Sequence, residues 1–350
     1  MKLEQHILRM LTGPCRVSEG AGIVVAVSGG PDSMALLHLL ATVSKPLQLQ
    51  LTVVWLDHKL RPLETPQEKE TVALAAEKLN IPFLPRQADV AAFAQAQHFS
   101  IEHAARELRY ALLREVARDC GAELIAVGHT ADDQAEEVLL RLLRGSGRKG
   151  LAGMNMRSGG DLIRPLLRTG KHELLDWLAR HDIAYCFDSS NNDRKFLRNR
   201  VRHELLPFLR EHFEPGIRNS LLKTADSLAA DEELLEELTA KAAQQVLEEE
   251  GNGEADAFPK LRLLREPFRT LPLALQRRVI ELLLWRIGSK ANYEQILLVM
   301  EAALSGRNQS ELHLSQGLRV GVFAKWLEFS YPAGRKAWRG RLLALTQHGL

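Results

Sequence analysis

The chain has 350 residues, 45 % of them hydrophobic and 26 % charged, with a formal net charge of +2, a balance that excludes a disordered or fibrous protein and leaves room for two domains. Cys15, Cys120 and Cys186 are widely spaced, odd in number and without a CxxC pair, which argues against a disulfide framework and a zinc site and for a reducing, cytoplasmic location. Residues 1–11 lack the apolar core of a signal peptide, and no apolar run reaches the length of a membrane span.

In chain order, the first half alternates β-rich apolar runs with helical patterns. The runs are Ile23 to Val27, Leu49 to Leu56, Ile81 to Leu84 and Leu124 to Val127; helices are expected over 32–43, 66–79 and 100–119. This alternation predicts an α/β fold, a Rossmann-like parallel sheet with helices on both faces, whose ligands sit beyond the carboxyl ends of the strands. Three motifs start where strands stop, at Ser28, Asp57 and Gly128, so one crevice can hold all three.

From Leu221 to Glu250 the pattern is a long acidic helix, closed by Gly251-Asn252-Gly253. Beyond it, helices near 272–287 and 292–304 and a strand pair, Glu311 to Leu314 and Leu318 to Phe323, predict a smaller, mostly helical domain. The expected boundaries are 1–215, an acidic joint at 216–253, a second domain at 254–330 and an unassigned tail at 331–350.

Charge is unevenly distributed. Residues 141–210 hold fifteen Lys or Arg against seven acids, residues 226–256 hold one Lys against eleven acids, and residues 257–350 hold fifteen against six. Two basic segments around an acidic one can form a surface for a nucleic-acid backbone, although charge runs are most often plain solvated faces.

SGGPDS, Ser28 to Ser33, links a strand to a helix. Its glycines let the backbone approach an anion, and the free N–H groups of the next helix supply positive potential. Ser28, Gly29, Gly30, Pro31, Asp32 and Ser33 are the candidate phosphate residues, without the lysine of a Walker loop. GHTADDQAEE, Gly128 to Glu137, opens another helix, with Thr130 as a candidate N-cap. His129, Asp132, Asp133 and Glu136 stand at i, i+3, i+4 and i+7, so they share a face. First-turn acids are also what the helix dipole favours, which accounts for Asp132 and Asp133 but poorly for Glu136. ATP chemistry needs magnesium, held by one or two carboxylates and phosphate oxygens, and an amine nucleophile needs acids to orient it.

Arg106 and Arg109, three apart on one helix, can meet one anion. Arg148 and Lys149 lie in the glycine-rich stretch Arg144 to Met154, which reads as a mobile loop over a phosphate-bearing ligand. Arg198, Arg200 and Arg202 fall within five residues and cannot share one helix face, so at least one is expected to reach a ligand or another segment.

SGGPDS resembles the pyrophosphate loop of the ATP pyrophosphatase superfamily. With Leu56 to Arg61, ARELRY, GHTADDQAEE, RGSGRKGLAGM, Ile163 to Arg168 and DSSNNDRKFLRNRVR in collinear order over about residues 20 to 215, the chain resembles the tRNA(Ile)-lysidine synthase family. It departs from the family pattern at Lys59 and Glu137. The resemblance implies an adenine nucleotide α-hydrolase-like fold and ligation of lysine to the wobble cytidine of the CAU-anticodon isoleucine tRNA, with ATP split into AMP and pyrophosphate.

It further implies phosphate and magnesium at the SGGPDS residues, with Asp32 and Asp132 as metal ligands, and Asp57, His58 and Gly128 around the nucleotide. Asp132, Asp133 and Glu136 would receive lysine. His129 with Arg106 or Arg109 would stabilise phosphate charge, and Arg148, Lys149, Asn191, Arg198, Asn199, Arg200 and Arg202 would meet tRNA or substrate. Residues 217–330 resemble the family's tRNA-binding domain; a further carboxy-terminal domain found in many members is mostly lacking. A homodimer is left open, and a membrane partner is not expected. The rivals are a tRNA thiolase, which should need a catalytic cysteine or a cluster-binding CxxC set, an ammonia-using synthetase, which should need a glutaminase segment, and a non-catalytic nucleotide-sensing or RNA-binding module.

Overall fold

The computed structural model describes residues 2–60, 65–186, 197–250 and 260–331. The chain folds as two compact units, Met1–Ala229 and Ala230–Leu350.

The first unit begins with α1 (Leu3–Thr12), β1 (Gly22–Ala26), α2 (Pro31–Leu47), β2 (Gln50–Asp57), α3 (Thr65–Lys78) and β3 (Phe83–Gln87). It continues through α4 (Val90–Gln97), α5 (Ile101–Asp119), β4 (Leu124–Ala126), α6 (Ala131–Leu143), α7 (Arg148–Leu151), β5 (Arg157–Ser158), β6 (Leu162–Ile163) and α8 (Lys171–Arg180). Past the undescribed residues 187–196 come α9 (Leu197–Arg200), a π-helical turn (Val201–Leu205), α10 (Leu206–His212) and α11 (Ile217–Val246).

The sheet order is β3-β2-β1-β4-β6-β5, parallel except for the β5–β6 pair. Alternate residues of each strand go to opposite faces. Ile23, Val25, Val53, Trp55 and Leu124 pack with Leu36, Leu37, Leu40 and Val72 of α2 and α3 and with Leu174 and Trp177 of α8, while Val24, Val54 and Ile125 pack with Leu113 and Val116 of α5. Apolar residues on both faces explain why these strands read as continuous hydrophobic runs. Chain order runs outward from β1 to β2 and β3, then returns to β4 on the other side of β1, so the topological switch point lies between β1 and β4. The SGGPDS and GHTADD segments leave the sheet on either side of that point.

The second unit holds a five-stranded antiparallel sheet as well as the expected helices. Its strands are β7 (Leu247–Glu250), β8 (Lys260–Leu264), β9 (Ser310–His313), β10 (Arg319–Val322) and β11 (Trp326–Ser330), in the order β7-β8-β11-β10-β9. Leu261, Leu263, Val320, Val322, Leu327 and Phe329 turn one sheet face onto α12 (Arg265–Thr270), α13 (Leu273–Arg286) and α14 (Tyr293–Ser305). Buried Arg265 ties this unit together by donating to the carbonyls of Ala303, Phe323 and Gly306 at 2.9–3.0 Å. The acidic helix ends at Val246 rather than Glu250, because Leu247 to Glu250 pair with β8. Among the described residues no helix is long and apolar enough to cross a membrane.

Candidate active site

Three helix N-termini, those of α2, α6 and α8, meet in the first unit. Asp32 is the second residue of α2, Asp132 the second of α6 and Lys171 the first of α8. Helix starts carry unsatisfied N–H groups and positive potential, so acids here are stabilised and anions attracted. The Lys171 N–H donates to Asp132 Oδ2 at 2.7 Å, and the Ala131 N–H donates to the Thr169 carbonyl at 2.9 Å, locking α6 and α8 together. The Lys171 ammonium stands 3.6 Å from Asp32 Oδ2.

SGGPDS closes on itself as a compact loop. Ser33 Oγ accepts from the Ser28 N–H at 3.1 Å and donates to the Gly30 carbonyl at 2.9 Å; the Ser28 hydroxyl lies 3.2 Å away. Gly29 has φ +93°, a conformation that strains any side-chain-bearing residue. Pro31 occupies the first turn of α2, where its missing N–H costs no helix bond. Gly128 serves spacing instead: a Cβ there would lie 3.2 Å from the Asp32 carbonyl, so glycine lets the β4–α6 turn close against α2.

Thr130 caps α6. Its Oγ1 accepts from the Asp133 N–H at 3.3 Å, and Asp133 Oδ2 accepts from the Thr130 N–H at 2.8 Å, a complete capping box. Asp133 therefore has a structural task with one oxygen, while Oδ1 faces Arg202 Nη2 at 3.0 Å and Arg198 Nη2 at 3.4 Å. Glu136, one turn on, is buried at 1 % exposure and accepts from Arg202 Nε at 2.5 Å, Arg202 Nη2 at 3.0 Å and Arg198 Nε at 3.1 Å. Arg198 and Arg202 are four apart and share a face. Arg200 turns away and pairs with Glu204 at 3.4 Å, as three arginines in five residues require.

Burial lifts the Asp32 carboxyl above its ordinary value, against the pull of Lys171, and lifts Glu136 against the pull of Arg202. Burial also presses Asp133 upward, but Arg198, the Thr130 N–H and the neighbouring His129 and Arg202 outweigh it and hold that carboxyl low. Burial pushes the His129 imidazole down to about 4. His129 is thus neutral near pH 7, so what it can offer a phosphate is a hydrogen bond.

Asp32 and Glu136, but not Asp133 or His129, line a cavity of about 440 Å³. Its lining combines Asp32, Thr130, Asp132, Glu136, Lys171 and Arg202 with Leu206, Pro207, Arg210, Pro215, Ile217 and Arg218. Arg218 Nη1 reaches Asp132 Oδ1 at 3.3 Å. Adjacent Asp132 and Asp133 thereby serve different partners, about 100° apart around the helix.

The remaining candidates divide. Asp57 Oδ1 accepts from the Lys59 N–H at 2.7 Å, a local turn at the end of β2. His58 Nε2 lies 3.3 Å from Arg109 Nη2, whereas Arg106 lies over the Tyr110 ring at 5.1 Å, so the two arginines do not meet one point. Arg148 and Lys149 sit on α7, in a stretch expected to be a mobile loop. It is pinned to α6: Arg141 Nη1 donates to the Gly150 and Gly153 carbonyls at 2.8 and 2.9 Å, and Gln134 exchanges two hydrogen bonds with Met154. Asn199 is on α9; Asn191 lies outside the described residues.

Lys171, Arg210 and Arg218 were not expected at this site. Lys171 follows Gly170 at a helix start, a weak signal, and Arg218 falls beyond the expected boundary at 215, where only tertiary structure returns it to Asp132. As to magnesium, no group of three or more His, Cys, Asp or Glu among the described residues is placed to hold a metal. Asp32 Oδ1 is nevertheless buried without a hydrogen-bond partner. That fits an ion held by one carboxylate and completed by phosphate and water oxygens, while both Asp132 oxygens already have partners.

Residues 2–209 match the PP-loop domain family. The chain is 39 % identical over 303 residues to the tRNA(Ile)-lysidine synthase of Geobacter sulfurreducens, covering 86 % of this chain and 63 % of that protein. It is 37 % identical over 314 residues to the tRNA(Ile)-lysidine synthase of Gloeobacter violaceus, covering 88 % of this chain and 90 % of that protein. Among solved structures, the U34-tRNA thiolase NcsA from Methanococcus maripaludis with its [4Fe-4S] cluster has a TM-score of 0.53 at 17 % identity, over 65 % of this chain and 79 % of that one, a likeness of fold.

Proposed function

The chain belongs to the tRNA(Ile)-lysidine synthase family of PP-loop proteins, and on that premise we propose that it ligates lysine to carbon 2 of the wobble cytidine of the CAU-anticodon isoleucine tRNA, with ATP as co-substrate. The observation that carries this reading is the meeting of a phosphate loop and a carboxylate-bearing helix at one switch point.

The reaction runs in two steps. The cytosine 2-oxygen attacks the α-phosphorus of ATP and pyrophosphate leaves; the lysine ε-amine then attacks carbon 2, and the oxygen departs with AMP. Ser28, Gly29, Gly30 and Ser33 cradle the phosphates through backbone N–H and hydroxyl groups at the α2 terminus, Pro31 fixes the first turn of that helix, and Lys171 supplies the cation that a Walker loop carries internally. Magnesium, when bound at Asp32, neutralises phosphate charge.

Asp132, Asp133 and Glu136 orient the amine and accept its proton. Arg198 and Arg202 hold Asp133 and Glu136 in place rather than facing RNA. Neutral His129, through a hydrogen bond, and Arg106 or Arg109 stabilise phosphate charge, Asp57, His58 and Gly128 border the nucleotide, and Arg148, Lys149, Asn191, Asn199 and Arg200 contribute toward tRNA. The second unit adds tRNA affinity. Incubation with ATP, lysine and bulk bacterial tRNA, followed by mass spectrometry of digested nucleosides, tests the reading: a lysyl adduct on cytidine is expected, and unmodified cytidine sinks it.

A further inference from the structure

The charges around the 440 Å³ cavity are not fully matched. Four cations line it. Lys171 faces Asp32 at 3.6 Å, Arg202 faces Glu136 at 2.5 Å and Arg218 faces Asp132 at 3.3 Å. Arg210 is the fourth, and among the described residues it has no carboxylate partner. A solvated surface arginine needs none. Arg210 is itself exposed, but it lines the same cavity as three carboxylates, and Pro207, Pro215 and Ile217 belong to that lining too.

A free α-amino acid with a long aliphatic chain matches that combination group by group. Its carboxylate needs a guanidinium, its methylenes an apolar wall and its ammonium groups carboxylates. Arginine presents two parallel N–H donors that fit a carboxylate in the plane of the fork, so an unmatched guanidinium in such a cavity is selective for one. Resting on the lysine-ligating function proposed above, we infer that Arg210 receives the α-carboxylate of lysine and makes the protein select an amino acid over the corresponding plain diamine. The distinction matters chemically, because cadaverine carries the same nucleophilic amine and lacks only the carboxylate.

The test is AMP release by the full chain with ATP and tRNA, comparing lysine with cadaverine for wild type, Arg210→Met and Arg210→Lys. Wild type should prefer lysine. Arg210→Met should lose about 10- to 100-fold in kcat/KM for lysine, mostly through KM, with cadaverine and ATP parameters unchanged, and Arg210→Lys should recover part of the loss. Equal use of lysine and cadaverine by wild type overturns the inference. So does an equal loss on both amines in Arg210→Met, which marks a structural role, or a rise in the KM for tRNA alone, which places Arg210 on RNA. If wild type shows no lysine-dependent AMP release at all, the ligase reading itself has failed, an outcome distinct from the other three.

Discussion

Arg202 grips Glu136 with both arms of its fork, Nε on Oε1 at 2.5 Å and Nη2 on Oε2 at 3.0 Å, around a carboxylate that is 1 % exposed. Removing one partner of a buried ion pair costs about 3–5 kcal/mol when it strands the other charge; Arg202→Met takes two of the three hydrogen bonds from Glu136 and leaves it Arg198 Nε at 3.1 Å. Arg202→Met should therefore lower the melting temperature substantially. Arg202→Met with Glu136→Met should be less destabilised than Arg202→Met alone. Thermal melts of the two single variants and the double variant check this, and additive losses would show that the two side chains act independently.

Asp133→Asn and Glu136→Gln should impair lysine use while leaving tRNA binding near wild type, because each removes a carboxylate and no cation. Loss of a positioned acid–base group costs about a hundredfold or more in rate. Asp133→Asn should also cost roughly 1 kcal/mol of stability through the weakened capping box with Thr130. Filter binding and steady-state turnover, measured side by side, separate the effects; full turnover in both variants would reduce these acids to helix-end electrostatics.

His129 fixes a pH dependence. Burial lowers its pKa to about 4 from an ordinary 6.5, so between those values the unfolded chain binds a proton that the folded chain refuses. Its contribution to stability is complete above about pH 6.5, falls as pH is lowered through that window and is lost below about 4. Burial lowers His6 and His38 as well, in the same direction. An NMR titration should place the His129 ring near 4, and His129→Asn should flatten the acid side of the stability profile. A midpoint near 6.5 would contradict the burial seen for this ring.

Two glycines should fail for different reasons. Gly29→Ala forces φ +93° on a residue with a Cβ, a strain of about 1–3 kcal/mol, although that Cβ would meet only an ordinary 3.5 Å contact with Glu68. Gly128→Ala has no such strain but presses the Asp32 carbonyl at 3.2 Å, so it should push the α2 terminus away and raise the KM for ATP several-fold. The KM for lysine in Gly128→Ala should change little; an equal rise in both would mean the whole cavity had shifted.

Much of this was legible in the sequence because the signals are local. Hydrophobic runs located β1 to β4, though not β6, SGGPDS announced the turn between β1 and α2, and the i, i+3, i+4, i+7 spacing grouped the α6 acids. What was not legible depends on distant pairing. Nothing near Asp133 or Glu136 reveals that Arg198 and Arg202 lie on them, more than sixty residues along the chain, or that Arg218 returns to Asp132 from beyond the expected boundary. The RGSGRKGLAGM stretch looked mobile from its glycines, yet Arg141 and Gln134 pin it. The sheet of the second unit was only partly visible: β9 and β10 pair across a short turn, whereas β8 pairs with β11 more than sixty residues along the chain.

The central claim, that this loop cleaves ATP between the α and β phosphates in the service of lysine ligation, is tested most directly by following ATP labelled at the α and, separately, the γ position. With lysine and the CAU-anticodon isoleucine tRNA present, label should appear in AMP and in pyrophosphate, and omission of the tRNA should abolish both. ADP and free phosphate as the products would contradict the pyrophosphate-loop assignment, and AMP formed equally well without tRNA would contradict activation of the base.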